Sequence, residues 1–263
     1  MDMLSACWRG LRVIGHIFYG LLMVMTYPTR KRAAQRQLMQ SWARRLLAIL
    51  RVKLETRGDL PAMQQGRLLV ANHISWLDAM IIAAATPAFF VAKSEVGGWP
   101  LIGWLCRRVD TLFIRRHSRR DAMNVKEHIA ALLLRSEFVA IFPEGTTTNG
   151  RQVGHFHSSL LQGALDVNAI IQPVAVRYHD DKGNFSEDAA YIDDMTFVQS
   201  IWRILRSRSL QATLIYLPVM ACNGQDRRTL ASEAHGAICA ALATISADAA
   251  KRADRQAADN RPR

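Results

Sequence analysis

Two short, unbroken apolar runs constrain this chain more than anything else in it. Leu68-Leu69-Val70-Ala71 stops abruptly at Asn72-His73-Ile74-Ser75-Trp76-Leu77-Asp78, and Phe138-Val139-Ala140-Ile141-Phe142 stops at Pro143-Glu144-Gly145-Thr146-Thr147-Thr148. Each run reads as a buried strand, and each polar block starts where that strand must end. The proline stops a ladder and the glycine permits a tight turn. Further strands are expected at Phe89–Ala92, Thr111–Ile114, 170–177 and Gln211–Leu217. Between them the pattern turns helical: through the first block to Thr86-Pro87, over Leu101–Arg107, and over a stretch capped by Asp121 with an inner stripe of Val125, Ile129, Leu132 and Leu133. Two more helices are expected at His157–Val167 and at Thr229–Ser246, the latter with the stripe Leu230, Ala234, Ile238 and Leu242. Strands alternating with helices imply an α/β fold, one domain with a mostly parallel sheet flanked by helices.

Strand exits are where sites on sheets are usually built. At the first exit His73 and Asp78 stand five positions apart. Asp78 could accept a hydrogen bond from one ring nitrogen of His73, leaving the other free to take a proton from a substrate hydroxyl. The carboxylate would fix the tautomer and stabilise the imidazolium, the logic of a serine-protease triad with the hydroxyl moved onto the substrate. At the second exit stands Glu144.

Four ordered blocks give the chain a family resemblance. Asn72-His73-Ile74-Ser75-Trp76-Leu77-Asp78, Asp110-Thr111-Leu112-Phe113-Ile114-Arg115-Arg116, Phe142-Pro143-Glu144-Gly145-Thr146 and Gln172-Pro173-Val174 resemble, in order, the blocks of the glycerolipid acyltransferases, typified by bacterial 1-acylglycerol-3-phosphate acyltransferases. The resemblance spans roughly residues 66 to 180. It implies that His73 and Asp78 are catalytic and that Lys93, Arg116, Glu144, Gly145 and Thr146 bind substrate. It also implies that the acyl donor is a thioester, acyl-CoA or acyl carrier protein, with no further cofactor and no metal. The backbone N–H groups of Gly145 and Thr146 are candidate donors to the tetrahedral oxyanion.

Two positions depart from the family pattern. The glycine that usually opens the second block is Asp110, and the third block continues Thr147-Thr148 where Arg-Ser is common. A guanidinium makes paired bonds to phosphate that threonine cannot replace. Arg151, four positions beyond Thr147, could substitute.

Composition narrows the setting. The 263 residues suffice for one domain with a sizeable core, and no linker or repeat divides them. The four cysteines, Cys7, Cys106, Cys222 and Cys239, are scattered, without zinc spacing or a disulfide framework, which fits a reducing compartment. His155-x-His157 has no nearby carboxylate pattern and reads as incidental rather than as a metal site. Glycine-rich nucleotide motifs and Gly-x-Ser-x-Gly are absent.

The net charge is +12, and residues 1–60 hold eleven Lys or Arg against three Asp or Glu. That excess flanks the most apolar segment, Val13–Tyr27, which is short for a membrane span of roughly 20 residues. It precedes a stretch in which Leu38, Trp42, Leu46 and Leu50 fall four apart among Arg36, Arg44, Arg45 and Arg51. A hydrophobic hook followed by a basic amphipathic helix could lie in one leaflet and draw anionic headgroups close. The same helix could instead pack its stripe on the core. The basic residues flank apolar ones, and no nucleic-acid motif appears, so nucleic acid is not an expected partner.

The expected organisation is a membrane-associating segment at 1–57, an acyltransferase domain at 58–247 and a flexible tail at 248–263. The expected reaction is acyl transfer to the free hydroxyl of a lysolipid at an anionic membrane surface, at the cytoplasmic face of a bacterial inner membrane. The foremost acceptor is 1-acyl-sn-glycerol 3-phosphate, giving phosphatidate. The alternatives are another lysolipid such as lyso-ornithine lipid, which Thr147 favours, and a non-catalytic membrane lipid-binding protein on the same fold.

Overall fold

The computed structural model describes residues 3–59, 65–115 and 118–259. Two helices open the chain, α1 (Met3–Met25) and α2 (Arg32–Leu50), joined through a 3-10 turn at Tyr27–Thr29. Then follow β1 (Lys53–Gly58), β2 (Arg67–Ala71), α3 (Leu77–Ala85), β3 (Phe89–Lys93), α4 (Ser94–Gly97), α5 (Ile102–Arg108) and β4 (Leu112–Ile114). The chain continues with α6 (Arg119–Leu134), β5 (Phe138–Ile141), α7 (Gln162–Leu165), β6 (Ile170–His179), α8 (Phe197–Arg206), β7 (Gln211–Tyr216) and α9 (Arg227–Asp259). The seven strands form one sheet in the order β1-β7-β6-β2-β5-β3-β4. Every neighbouring pair is parallel except β6 with β7.

The apolar strand runs are buried on both faces because helices cover both. Leu69, Ala71, Phe138 and Ala140 point into a core shared with α1, α2, α3 and α8. Leu68, Val70, Val139 and Ile141 point the other way, into a core shared with α6 and α9. The α6 stripe is buried at Val125, Ile129 and Leu133, and that of α9 at Leu230, Ala234 and Ile238. β2, β5, β3 and β4 run parallel and end at one edge, so the polar blocks that follow them gather there.

Several expectations change in detail. β1 and α8 were not anticipated: β1 (Lys-Leu-Glu-Thr-Arg-Gly) is a largely exposed edge strand without an apolar pattern. The cap of α6 is Ser118, whose hydroxyl accepts from the Asp121 N–H at 3.1 Å, while Asp121 itself pairs with Arg115. The stretch expected as one helix from His157 is a 3-10 turn, Ser158–Leu161, followed by the four-residue α7. α9 stays helical to Asp259, past the point where the charged tail was expected to fray.

Of the two readings the sequence left open for the basic helix, the structure shows the one in which its stripe packs on the core. α1 extends back through Arg9, whose guanidinium is buried and donates to the Leu50 carbonyl at the end of α2. What interrupts the apolar run is therefore an internal cap. α2 packs on α3 rather than lying free. Arg44 donates to the Ala84 carbonyl at 2.9 Å, Gln40 donates to the Ala84 and Ala85 carbonyls, and Arg36 pairs with Glu137 at 2.9 Å. Much of the basic face of α2 is thus spent on closing α3 and holding the core. The opposite side of α1 is left open: Leu4, Trp8, Leu11, Phe18, Leu22 and Met25 are all exposed on one stripe.

Candidate active site

The first block forms a tight turn closed on Asp78. One carboxylate oxygen of Asp78, Oδ2, accepts from the backbone N–H of Ile74 at 2.7 Å and of Ser75 at 2.8 Å, so the carboxylate caps the turn that leads into α3. The same oxygen stands 2.8 Å from Nδ1 of His73, and the geometry requires Nδ1–H to donate to it. That fixes the tautomer with Nε2 unprotonated and free. The other oxygen, Oδ1, accepts from the Tyr178 hydroxyl at 2.8 Å. Asp78 is fully buried, and these four donors satisfy both of its oxygens. Burial, with the Asp78 charge second, pushes the Tyr178 phenol well above its ordinary value. Tyr178 is therefore the group that keeps its proton.

The imidazole is also held face-on. Its ring stacks on Phe142 at a centroid distance of 4.1 Å and an interplanar angle of 15°. The Asn72 side chain spans the end of β2 and the backbone of Val176 with two hydrogen bonds of 2.7 and 3.0 Å, so the strand exit cannot drift. The His73 carbonyl accepts from the Thr148 N–H at 2.9 Å, which ties the first block to the third.

Glu144 makes the second tie. It is buried, and its carboxylate accepts from the backbone N–H of His73 at 2.6 Å and of Gly154 at 2.7 Å. Burial pushes the carboxyl above its ordinary value, and the two N–H donors oppose that shift without cancelling it. A Cβ at Gly154 would meet Glu144 Oε2 at 2.7 Å, so glycine is needed for this close approach. Gly145 sits at φ 64, in the left-handed region that glycine enters most readily. Glu144, expected to bind substrate, shapes the loop around His73 from inside through these two backbone donors. The Gly145 N–H is likewise committed, donating to the Phe142 carbonyl at 3.0 Å, which leaves the Thr146 N–H as the oxyanion candidate of the two.

The remaining expected residues sit further along the same sheet edge. Lys93 closes β3, beside β5, at the carboxyl ends of the parallel strands. Arg115 forms a paired ion bridge with Asp121, and Arg116 lies outside the described residues. Asp110, which replaces the usual glycine, has φ 58 and pairs with Arg32 at 3.1 Å. Aspartate tolerates that left-handed turn better than most residues, and here it gains an ion pair. Thr147 donates its hydroxyl to the Tyr191 carbonyl. Arg151, the possible stand-in for the missing arginine, is paired with Glu187 at 2.7 Å and lies over the Phe185 ring. Sequence reasoning missed Tyr178, which lies on β6 four residues past the fourth block, and Tyr191 and Glu187, which lie beyond the last block.

A doubly covered, mostly parallel sheet carries an oriented His73–Asp78 pair at its carboxyl edge, an arrangement with the chemistry to activate a hydroxyl. The chain belongs to the acyltransferase family: the family's sequence profile, described as Acyltransferase, matches residues 51–177. It is 35% identical over 249 residues to a lyso-ornithine lipid O-acyltransferase of Pseudomonas aeruginosa, covering 92% of this chain and 95% of that one. It is 33% identical over 201 residues to a 1-acyl-sn-glycerol-3-phosphate acyltransferase of Neisseria meningitidis, covering 76% and 78%. The solved 1-acyl-sn-glycerophosphate (LPA) acyltransferase PlsC of Thermotoga maritima shares the fold, with a TM-score of 0.71 at 18% identity over 94% of this chain and 96% of that one.

Proposed function

We propose that the protein transfers a fatty acyl group from a pantetheine thioester to a lysolipid hydroxyl, with His73 as general base. Nε2 of His73 takes the hydroxyl proton as that oxygen attacks the thioester carbonyl. The oxyanion so formed meets the Thr146 N–H. Collapse re-forms the carbonyl, breaks the C–S bond and returns the proton from His73 to the departing thiolate. Asp78 holds the imidazolium throughout, and no acyl-enzyme forms. The observation that carries this reading is the His73–Asp78 pair, which is oriented by three further donors to Asp78 and leaves Nε2 unused. A lipid-binding protein that had lost catalysis would have no need of that arrangement.

For the acceptor, we infer a lysolipid with a zwitterionic headgroup such as lyso-ornithine lipid ahead of 1-acyl-sn-glycerol 3-phosphate, reversing the order taken from sequence. The family's phosphate-binding arginine is Thr147 here, and Arg151 is already neutralised by Glu187. The segment from Asp180 to Asp194 holds six carboxylates against one lysine. It lies against the site, since the Tyr191 N–H donates to the Ile74 carbonyl at 3.0 Å. Acylated ornithine keeps an ammonium as well as a carboxylate, which suits an acidic border, whereas a phosphate monoester would be repelled by it.

We also assign α1 to the membrane. Six large apolar side chains stand exposed along one of its faces, the pattern of a helix that lies in a membrane interface. α9 is the described helix long and apolar enough to span, over Arg227–Ala247, but its large apolar residues face the sheet. A thioester donor made in the cytoplasm places the sheet on that side.

The test offers both lysolipids in parallel to the membrane-associated enzyme, with His73→Ala as control. Preferential acylation of lyso-ornithine lipid is expected. Turnover of lysophosphatidate alone would reject the acceptor assignment, and activity of His73→Ala near that of the native protein would reject the base.

A further inference from the structure

A cavity of about 730 Å³ opens between the loop 153–159 and the first turns of α9. Its walls include His155, His157, Ser158, Arg227, Arg228 and His235. Arg228, Ala231, Ser232 and His235 share one helical face, so the cavity is a designed wall of α9 rather than a gap between unrelated surfaces. Among the described residues no carboxylate forms an ion pair with Arg227 or Arg228. Of the nearby acids, Asp226 acts on Arg228 through its charge but makes its hydrogen bonds as a cap. Asp226 caps α9, accepting from the Thr229 hydroxyl at 2.6 Å and the Arg228 N–H at 2.8 Å, and Glu144 is held by its two backbone donors. The cavity thus presents two arginine forks, the imidazoles of His155 and His157 and the hydroxyls of Ser158, Ser159 and Ser232, a donor set that suits phosphate oxygens, while His235 is engaged with the Val153 carbonyl.

Its position in the fold says which phosphate. Phe156 and Ala231, in the cavity wall, belong to the core on the α6 and α9 face of the sheet, whereas Ala6 and Val13 of α1 belong to the opposite core. The cavity therefore opens on the face turned away from the apolar stripe of α1. It is nevertheless joined to the reacting edge, because Glu144 receives the His73 N–H on one oxygen and the Gly154 N–H, at the start of the cavity loop, on the other. A lipid acceptor would come from the α1 side. A water-soluble, phosphorylated thioester would come from the other.

We propose that this cavity binds the phosphate groups of the acyl donor, with Arg227 and Arg228 as their main ligands, so that the pantetheine arm reaches His73 past the Glu144–Gly154 link. This rests on the acyl-transfer reading above. The shared chemistry is phosphate attached to pantetheine, whether in CoA or on a carrier protein.

The test compares the full-length protein with Arg227→Gln/Arg228→Gln, using acyl-CoA, acyl carrier protein and acyl-pantetheine, which lacks phosphate, as donors. The expected result is a rise of roughly tenfold in KM for a phosphorylated donor, with the KM for lysolipid unmoved and acyl-pantetheine handled alike by both proteins. A rise with acyl-CoA assigns the nucleotide phosphates, and a rise with the carrier protein alone assigns the phosphopantetheine diester. An unchanged KM for both phosphorylated donors, or a rise in the KM for lysolipid instead, overturns the proposal. Arg228→Lys should retain only part of the affinity, since it keeps charge while losing the fork. Equilibrium binding of free CoA and of the phosphopantetheine-bearing carrier protein, which needs no turnover, separates the two readings. Binding that the double variant loses supports the cavity even if neither lysolipid is acylated, and equal binding by both proteins overturns the cavity even if acylation is normal.

Discussion

The Tyr178 hydroxyl donates to Oδ1 of Asp78 at 2.8 Å across 100 residues of sequence, and it does so inside a fully buried site. Asp78 is thereby held from both sides, by the turn it caps and by the strand β6 that runs alongside. A hydrogen bond to a buried charge contributes about 1.5–3 kcal/mol, and removing the donor leaves a carboxylate oxygen unsatisfied. Tyr178→Phe should therefore lower stability by about that amount. It should also lower kcat roughly tenfold with little change in either KM, because it acts through the orientation of His73 rather than on substrate. Thermal unfolding and steady-state kinetics read the two effects; a variant with native kcat would show that the turn alone positions Asp78.

Asp78→Asn separates orientation from fold. An amide places an N–H₂ group against either the Ile74 and Ser75 N–H donors or the Tyr178 hydroxyl, and it cannot stabilise an imidazolium. The expected loss in kcat is about 10⁴, the order seen when a buried aspartate behind a histidine is neutralised, and His73→Ala, which removes the base itself, should lose at least as much. Circular dichroism establishes that each variant is folded before its rate is read.

Glu144 gives a pH signature whose sign follows from its burial. The folded protein raises this carboxyl above the ordinary glutamate value of 4.5, so folding favours the protonated form. The stability it contributes is present in full below that ordinary value and is lost as pH rises through the higher, folded one. Glu144→Gln removes this titration. The stability difference between native protein and variant should therefore change across that window, the native protein losing ground as pH rises, and should be flat below it. Denaturant unfolding at a series of pH values checks this. The variant should also lose activity, since glutamine offers one acceptor where the His73 and Gly154 N–H groups need two.

Acceptor choice should respond to two positions that do not touch the His–Asp pair. Thr147→Arg restores the fork, and Glu187→Gln releases Arg151 from its ion pair. Each should raise the kcat/KM for 1-acyl-sn-glycerol 3-phosphate relative to lyso-ornithine lipid, by about tenfold for the former if the fork reaches phosphate. A double variant with an unaltered ratio would mean that the headgroup is read elsewhere on the edge.

How much of this was legible follows from how far each interaction reaches. The His73–Asp78 pair is five residues apart, and the strand that precedes it is an apolar run, so local pattern sufficed for both. The sheet could be inferred as mostly parallel because its strands alternate with helices. Tyr178, Phe142 as a stacking partner and Arg151 in its ion pair depend on which strands and loops lie side by side, and nothing in residues 170 to 190 announces that. Arg9 shows the opposite failure. A charge inside an apolar run reads as a boundary, yet it is buried because the end of α2 supplies an acceptor for it. Glu144 was legible as a site residue, but its orientation was not, since its partners are backbone N–H groups whose direction only the folded loop sets.

The open stripe of α1 yields the last prediction. Leu11 and Phe18 are 61% and 55% exposed, so neither is needed to hold the core, unlike Ala6, Val13 and Val24 on the opposite face. Burying such a side chain in an apolar phase contributes about 1.5–3 kcal/mol. Leu11→Glu together with Phe18→Glu should thus reduce partition onto phospholipid vesicles by at least about a hundredfold while leaving the fold intact. Flotation with anionic vesicles measures this directly, and circular dichroism controls for folding. Substituting exposed residues is a cleaner test than deleting residues 1–30, because deletion would also remove the Arg9 cap on α2 and uncover the core that α1 covers. Unchanged flotation would mean that the protein meets the membrane through another surface.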